Sequence, residues 1–209
     1  MSSPLFISFE GIDGCGKSTQ IGLLEKWLKG NDIEYISTRE PGGCKTSEDI
    51  RELVLSTKSD LGTTGELFLY LAARAEHLRQ VISPALAEGK IVISDRFSDA
   101  TFAYQGYGRG VDLNELQDLN RVATSGVKPD ITYILDIPLE VSKQRLKRGR
   151  NELDRMEKSS TEFFSRVRDG YLEIAKTDSA RYIVIDGSDT INNIHERVTE
   201  ILQSKIQER

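Results

Sequence analysis

The sequence predicts an α/β fold, a doubly wound sheet with helices packed on it. Three observations predict it. Five short β-rich runs recur along the 209 residues. Most of them are nearly continuous in apolar character rather than alternating, the pattern of parallel strands buried on both faces. Helix-like sequence follows each run, and strands that alternate with helices build βαβ units.

The elements follow in order. Residues 5–9 form the first strand. Residues 20–29 carry Ile21, Leu24 and Leu28 at helical spacing. A second strand at 34–38 precedes an alanine- and leucine-rich helix at 64–79, and a third strand at 90–94 precedes a helix at 113–124. The fourth strand, 131–135, leads into helices at 139–147 and 160–176; the fifth, 181–185, leads into a helix at 191–206. No repeat, low-complexity tract or linker interrupts the series, so residues 1–209 read as a single domain. The one irregular, charge-dense segment is 143–154.

Composition narrows the function. Apolar residues at 38% and charged residues at 29% read as soluble and globular. No run approaches the length of a membrane span, and the first residues lack the pattern of a signal peptide. The net charge of −5 argues against general nucleic-acid binding. Cys15 and Cys44 give no disulfide framework and read as free thiols of a cytoplasmic protein.

The stretch Gly11, Ile12, Asp13, Gly14, Cys15, Gly16, Lys17, Ser18 satisfies G-x-x-x-x-G-K-[ST], and Thr19 follows it. It lies after a strand and opens a helix, the context this phosphate-binding loop requires. Glycines let backbone N–H groups curl around a phosphate, and the helix start adds its positive dipole end. Lys17 then reaches the β and γ phosphates and Ser18 can ligate Mg²⁺. The motif points to a nucleoside triphosphate and leaves the acceptor open.

Three readings compete. A GTP-binding switch would carry an Asn-Lys-x-Asp motif, which is absent. An ATP-driven motor would end a strand in paired acids, whereas Asp95 is followed by Arg96. A small-molecule kinase acting on a monophosphate needs little base, because a phosphate oxygen is already nucleophilic near neutral pH. It needs cations to offset the repulsion between donor and acceptor phosphates. Arg39 follows the second strand, Arg96 the third, and Lys143, Arg145, Lys147, Arg148 and Arg150 follow the fourth. Strand ends are where α/β sheets bind ligands, and this distribution favours the kinase.

Nearly the whole chain then resembles thymidylate kinases. The resemblance rests on the phosphate loop, on Thr38 to Gly43 (TREPGG), Glu66 to His77 (ELFLYLAARAEH), Ser94 to Phe97 (SDRF), Ala103 to Gly106 (AYQG) and Glu152 to Glu157 (ELDRME). It implies a P-loop three-layer fold with a five-stranded parallel sheet, a mobile lid at about 143–157, a homodimer, and Mg²⁺-dependent phosphorylation of dTMP by ATP, without a strong protein base. By the same resemblance Asp13 lies near the acceptor's 3′-hydroxyl, and Arg39 and Arg96 clamp the dTMP phosphate. Asp95 positions Mg²⁺ through water. Tyr70 stacks on thymine where relatives have phenylalanine, and Arg74 donates to its carbonyl. Thr101 and Gln105 meet the pyrimidine edge, and Tyr104 crowds the sugar 2′ position. The family splits by the place of its catalytic arginine. Gly14 occupies the loop position that carries it in one type, so the resemblance is to the bacterial type, with Arg150 as the catalytic lid arginine beside Arg145, Arg148 and Arg155. Arg145 and residues Gly187 to Asp189 are candidates for adenine. Phe97 and Cys44 depart from the residues usual in relatives. The tight turn after Arg39 is expected to contain a cis Glu40–Pro41 bond.

Overall fold

The computed structural model describes residues 4–149, 155–156 and 159–208. Five parallel strands, β1 (Leu5–Glu10), β2 (Tyr35–Arg39), β3 (Ile91–Asp95), β4 (Ile131–Asp136) and β5 (Tyr182–Asp186), lie in the order β2-β3-β1-β4-β5. Each expected strand is present, displaced by a residue or lengthened at its C-terminal end. Helices α1 (Lys17–Gly30), α2 (Lys45–Leu55), α3 (Thr63–His77), α4 (Ser83–Ala87), α5 (Ser98–Thr101), α6 (Leu113–Ala123), α7 (Leu139–Gly149), α8 (Thr161–Ala175) and α9 (Ile191–Gln207) complete the chain. Two π-helical segments, Leu78–Ile82 and Phe102–Gly108, join α3 to α4 and extend α5.

Successive side chains of a strand point to opposite faces of the sheet, and the core divides accordingly. Leu5, Ile7, Phe9, Ile91 and Ile93 pack with Leu24 and Leu28 of α1 and with Val198 and Leu202 of α9. Phe6 and Val92 pack with Leu78, Ile82 and Ala85. Both faces are apolar because both are covered, which explains the unbroken apolar runs. Every residue of β1 is buried.

Three stretches differ from the expectation. The helix foreseen at 64–79 ends as an α-helix at His77 and continues as the π-helical segment and α4. Helix α2 was not foreseen: its acidic and basic residues dominate, and only Ser47 and Val54 are buried. The segment 98–108 was not foreseen as helical either; three aromatic residues and two glycines in Phe102–Gly108 obscure its helical period. Among the described residues no helix is long and apolar enough to cross a membrane, and Cys15 and Cys44 are free thiols. Each strand ends in an ionisable residue, Glu10, Arg39, Asp95, Asp136 or Asp186. The crevice beyond these ends, where connections diverge to either side of β1, is where such sheets bind ligands.

Candidate active site

The loop between β1 and α1 folds as its glycines require. Gly11, Gly14 and Gly16 have φ of 128°, 77° and 104°, a region that L side chains rarely adopt. A Cβ on Gly11 would lie 2.5 Å from the Leu135 carbonyl oxygen, so this turn also needs glycine for space. The loop and the first turn of α1 line a pocket, and no side chain caps that helix start, whose free N–H groups suit an anion. Lys17 is 7% exposed, and its Nζ donates to the carbonyls of Gly11 and Ile12 at 3.1 and 3.4 Å. Ile12 itself is buried in the core, so it and Gly11 shape the loop, while residues Asp13 to Thr19 line the pocket.

Ser18 and Asp95 face this same pocket, with Ser18 Oγ donating to Asp95 Oδ2 at 3.4 Å. On the far wall Arg145 spans two loops. Its Nη1 donates to the carbonyls of Gly14 and Cys15 at 3.3 and 3.4 Å, and its Nη2 to that of Gly187 at 3.1 Å. Asp189 also lines the wall.

A second pocket opens beside the first. Of the residues expected to hold the acceptor, it brings together Asp13, Tyr70, Arg74, Arg96, Thr101, Tyr104 and Gln105. Arg39 stands apart: it lines the first pocket, half exposed, with its Nη2 bonded to both carboxylate oxygens of Glu48 at 3.0 Å. The two pockets share Asp13, Glu40, Arg51 and Arg96. Glu40–Pro41 is cis, as expected.

Arg96 is the centre of the shared wall. Its φ is 73°. Its Nη2 donates to Asp13 Oδ1 at 2.7 Å and to Tyr104 Oη at 3.1 Å, its Nη1 donates to Tyr171 Oη at 2.9 Å, and its guanidinium lies 4.9 Å from the Tyr104 ring centre. Burial would raise the Asp13 carboxyl, but the charges of Arg96 and Lys17 and the bonds from Arg96 and Tyr104 outweigh it and hold the group below its ordinary value. Behind Arg96 sits Glu10, fully buried. It accepts from Phe97 N at 2.7 Å, from Tyr171 Oη at 2.8 Å and from Ser8 Oγ at 3.0 Å. Burial and the nearby charge of Asp99 push its pKa up to about 7, against the opposing pull of Arg96 and its hydrogen bonds.

Arg74 is 3% exposed and heavily engaged. Nε donates to Glu40 Oε2 at 2.7 Å, Nη1 to Thr101 Oγ1 and Asn120 Oδ1 at 2.7 Å each, and Nη2 to the Phe97 carbonyl at 3.0 Å. A guanidinium has five N–H donors; the described residues engage four of them, and Arg74 lines the pocket. Glu40 also accepts from His77 Nδ1 at 3.0 Å, and His77 Nε2 lies 2.6 Å from Thr38 Oγ1.

Of the lid arginines, Arg155 donates to Glu66 at 2.6 Å and to the Val54 carbonyl at 2.8 Å, and its neighbour Met156 closes one side of the acceptor pocket. Arg150 and the side chain of Arg148 lie outside the described residues. Sequence reasoning gave no role to Glu10, Arg51, Glu66, Met156 or Tyr171. Arg51 lies on the unforeseen α2, and its Nη1 donates to the Pro41 carbonyl at 2.7 Å. The others matter through long-range contacts that local sequence does not mark, although an acid inside the apolar first strand was a usable signal for Glu10.

Comparison with known proteins places the chain in a family. A family model for thymidylate kinase matches residues 9–198. The chain is 47% identical over 196 residues to a thymidylate kinase of Kosmotoga olearia, covering 94% of each, and 46% identical to one of Geotalea daltonii, covering 93% and 94%. A crystal structure of thymidylate kinase from Ehrlichia chaffeensis superposes with a TM-score of 0.77 at 38% identity, over 96% of this chain and 99% of that one. The chain belongs to the thymidylate kinase family, and is a transferase of the nucleoside monophosphate kinase class.

Proposed function

We propose that this enzyme transfers the γ-phosphoryl group of ATP to dTMP, forming dTDP and so supplying dTTP synthesis. The observation that carries the reading is the pair of abutting pockets with Asp13, Glu40, Arg51 and Arg96 on their common wall. A triphosphate on the glycine loop and a monophosphate in the second pocket would meet there. Lys17 and the loop N–H groups hold the donor phosphates. Arg96, positioned by Asp13 and the two tyrosines, and Arg39 take the acceptor phosphate. The acceptor oxygen is already ionised near neutral pH, so transfer proceeds in line and rests on positioning and charge rather than on a strong base. Arg150 supplies the cation that neutralises the transferring group, with Arg148 near it in sequence. Arg145 and residues 187–189 flank the adenine. Tyr70 stacks on thymine, with Arg74, Thr101 and Gln105 at its polar edge and Tyr104 excluding ribose.

Mg²⁺ suits the first pocket. Ser18 and Asp95 present hard oxygen donors side by side. Among the described residues no cluster of three or more His, Cys, Asp or Glu forms a protein cage, which matches an ion held mainly by phosphates and water. Ser18 would bind it directly and Asp95 through water, and the ion would draw charge from the phosphate oxygens.

A homodimer is part of the proposal. Leu53, Phe68, Leu113 and Val122 are exposed on α2, α3 and α6, helices that pack in sequence against one another, and leave apolar surface for a second copy. The acidic net charge favours no nucleic-acid partner, and two free thiols suit a cytoplasmic setting. A coupled assay of dTMP, dUMP, thymidine and no acceptor, each with ATP and with GTP, tests the reading. Turnover should require ATP and a pyrimidine monophosphate, and Lys17→Ala should lower it at least ~100-fold. Turnover of thymidine in preference to dTMP, or equal hydrolysis with no acceptor, would contradict it.

A further inference from the structure

Glu66 lies on α3 behind the acceptor pocket and is 1% exposed. Three side chains reach its carboxylate. Gln105 Nε2 donates to Oε1 at 2.9 Å, Arg155 Nη2 to Oε2 at 2.6 Å, and Arg109 approaches both oxygens at 3.4 and 3.3 Å. Burial alone would raise this carboxyl; the hydrogen bonds from Gln105 and Arg155 and the charges of both arginines outweigh it and keep the group ionised. An ionised carboxylate only accepts hydrogen bonds. The amide of Gln105 must therefore turn its NH₂ end to Glu66. The opposite end, Oε1, has no hydrogen-bond partner among the described residues, and Gln105 lines the pocket.

We propose that Glu66 is a positioning residue for acceptor specificity: by fixing the Gln105 amide, it makes the pocket present an acceptor to the pyrimidine ring. The inference rests on the thymidylate reading and deepens it. Thymine and uracil carry an N3–H donor, which satisfies Gln105 Oε1. Cytosine carries a lone pair at N3, so acceptor would face acceptor. A neutral side chain at position 66 could either donate or accept and would leave the amide free to turn, and the pocket would then discriminate less between the two rings. The same carboxylate anchors Arg155, next to Met156 on the pocket wall, so the base-reading amide and that wall share one support.

The test compares kcat/KM for dTMP with that for dCMP in the full-length enzyme. In Glu66→Gln the dTMP-to-dCMP ratio should fall at least ~10-fold, with dCMP turnover rising and KM for ATP unchanged; the full scale of an unpaired polar group is about 10- to 100-fold. If that variant does not fold, Glu66→Asp, whose carboxylate is withdrawn from Nε2, carries the same expectation. Gln105→Leu, which removes the acceptor, should lower the ratio as well. A ratio unchanged in the folded position-66 variant, or parallel losses with both acceptors, would overturn the proposal and leave Glu66 a support for the fold. A wild-type enzyme that does not phosphorylate dTMP would overturn the thymidylate reading itself, and the inference with it.

Discussion

At the scale of single residues the site is built on buried charge, and buried charge makes definite demands. Glu10 is the clearest case. Its folded pKa of about 7 stands above the ordinary 4.5. A carboxyl raised by folding contributes stability that is fully present below its unfolded pKa and is lost as pH rises through the folded one. Between about pH 4.5 and 7 the protein should therefore lose roughly 3 kcal/mol through this group. Glu10→Gln should remove that slope, so the variant gains on the wild type as pH rises from 5 to 8; denaturant melts at the two values measure it, and parallel curves would refute the assignment. Arg74 makes the opposite demand. Its loss leaves Glu40 in the interior with the His77 ring as its remaining described side-chain partner, and breaking a buried pair costs about 3–5 kcal/mol. Arg74→Ala should thus lower Tm and also raise KM for dTMP more than for ATP, because Arg74 lines the acceptor pocket. A lowered Tm with equal changes in both KM values would make Arg74 a support and not a ligand.

At the scale of elements, the strand–loop–helix unit at the start of the chain declares itself. Its glycines stand where φ must be positive, its lysine follows, and an apolar strand and helix flank it. That unit, Arg39 at the end of β2 and Arg96 just after β3 were legible because each sits within a few residues of a strand end. Helix α2 was not legible, because only Ser47 and Val54 of it are buried and its role lies in what it reaches, Pro41 through Arg51 and Gly43 through Glu48. The same holds for Glu66, a helix acid whose meaning lies in partners 39, 43 and 89 positions away. The loop also bears on the lid. Gly14 has φ of 77°, and a Cβ there would sit 3.0 Å from the Ser142 carbonyl oxygen, so an arginine at this position would meet both strain and α7. Another cation must then serve the transferring phosphoryl group. Arg150→Ala should lower kcat at least ~100-fold with little change in ATP binding, and Arg150→Lys should rescue poorly because a point charge does not span two oxygens. A kcat within about threefold of wild type would move the role to Arg148 or Arg155.

At the scale of the whole molecule, a parallel sheet with β1 at its centre brings residues far apart in the chain to one crevice. Asp13 and Arg96 are 83 positions apart and bonded; Tyr171 joins them from α8. This convergence is why the fold class and much of the lining of the two candidate pockets could be read from short motifs: the topology gathers strand ends, and motifs at strand ends are gathered with them. What the motifs left out is the layer that holds those residues still, Glu10, Glu40 and Glu66, acids whose burial depends on the packing of the complete domain. On the proposed function, one wall shared by two pockets lets a phosphoryl group pass directly between two nucleotides. The stereochemical course of transfer tests this most directly, using ATP made chiral at the γ-phosphorus with sulfur and oxygen isotopes and dTMP as acceptor. A single in-line displacement across the wall predicts inversion at phosphorus; retention would mean that the group is first carried by the protein, and would contradict the account.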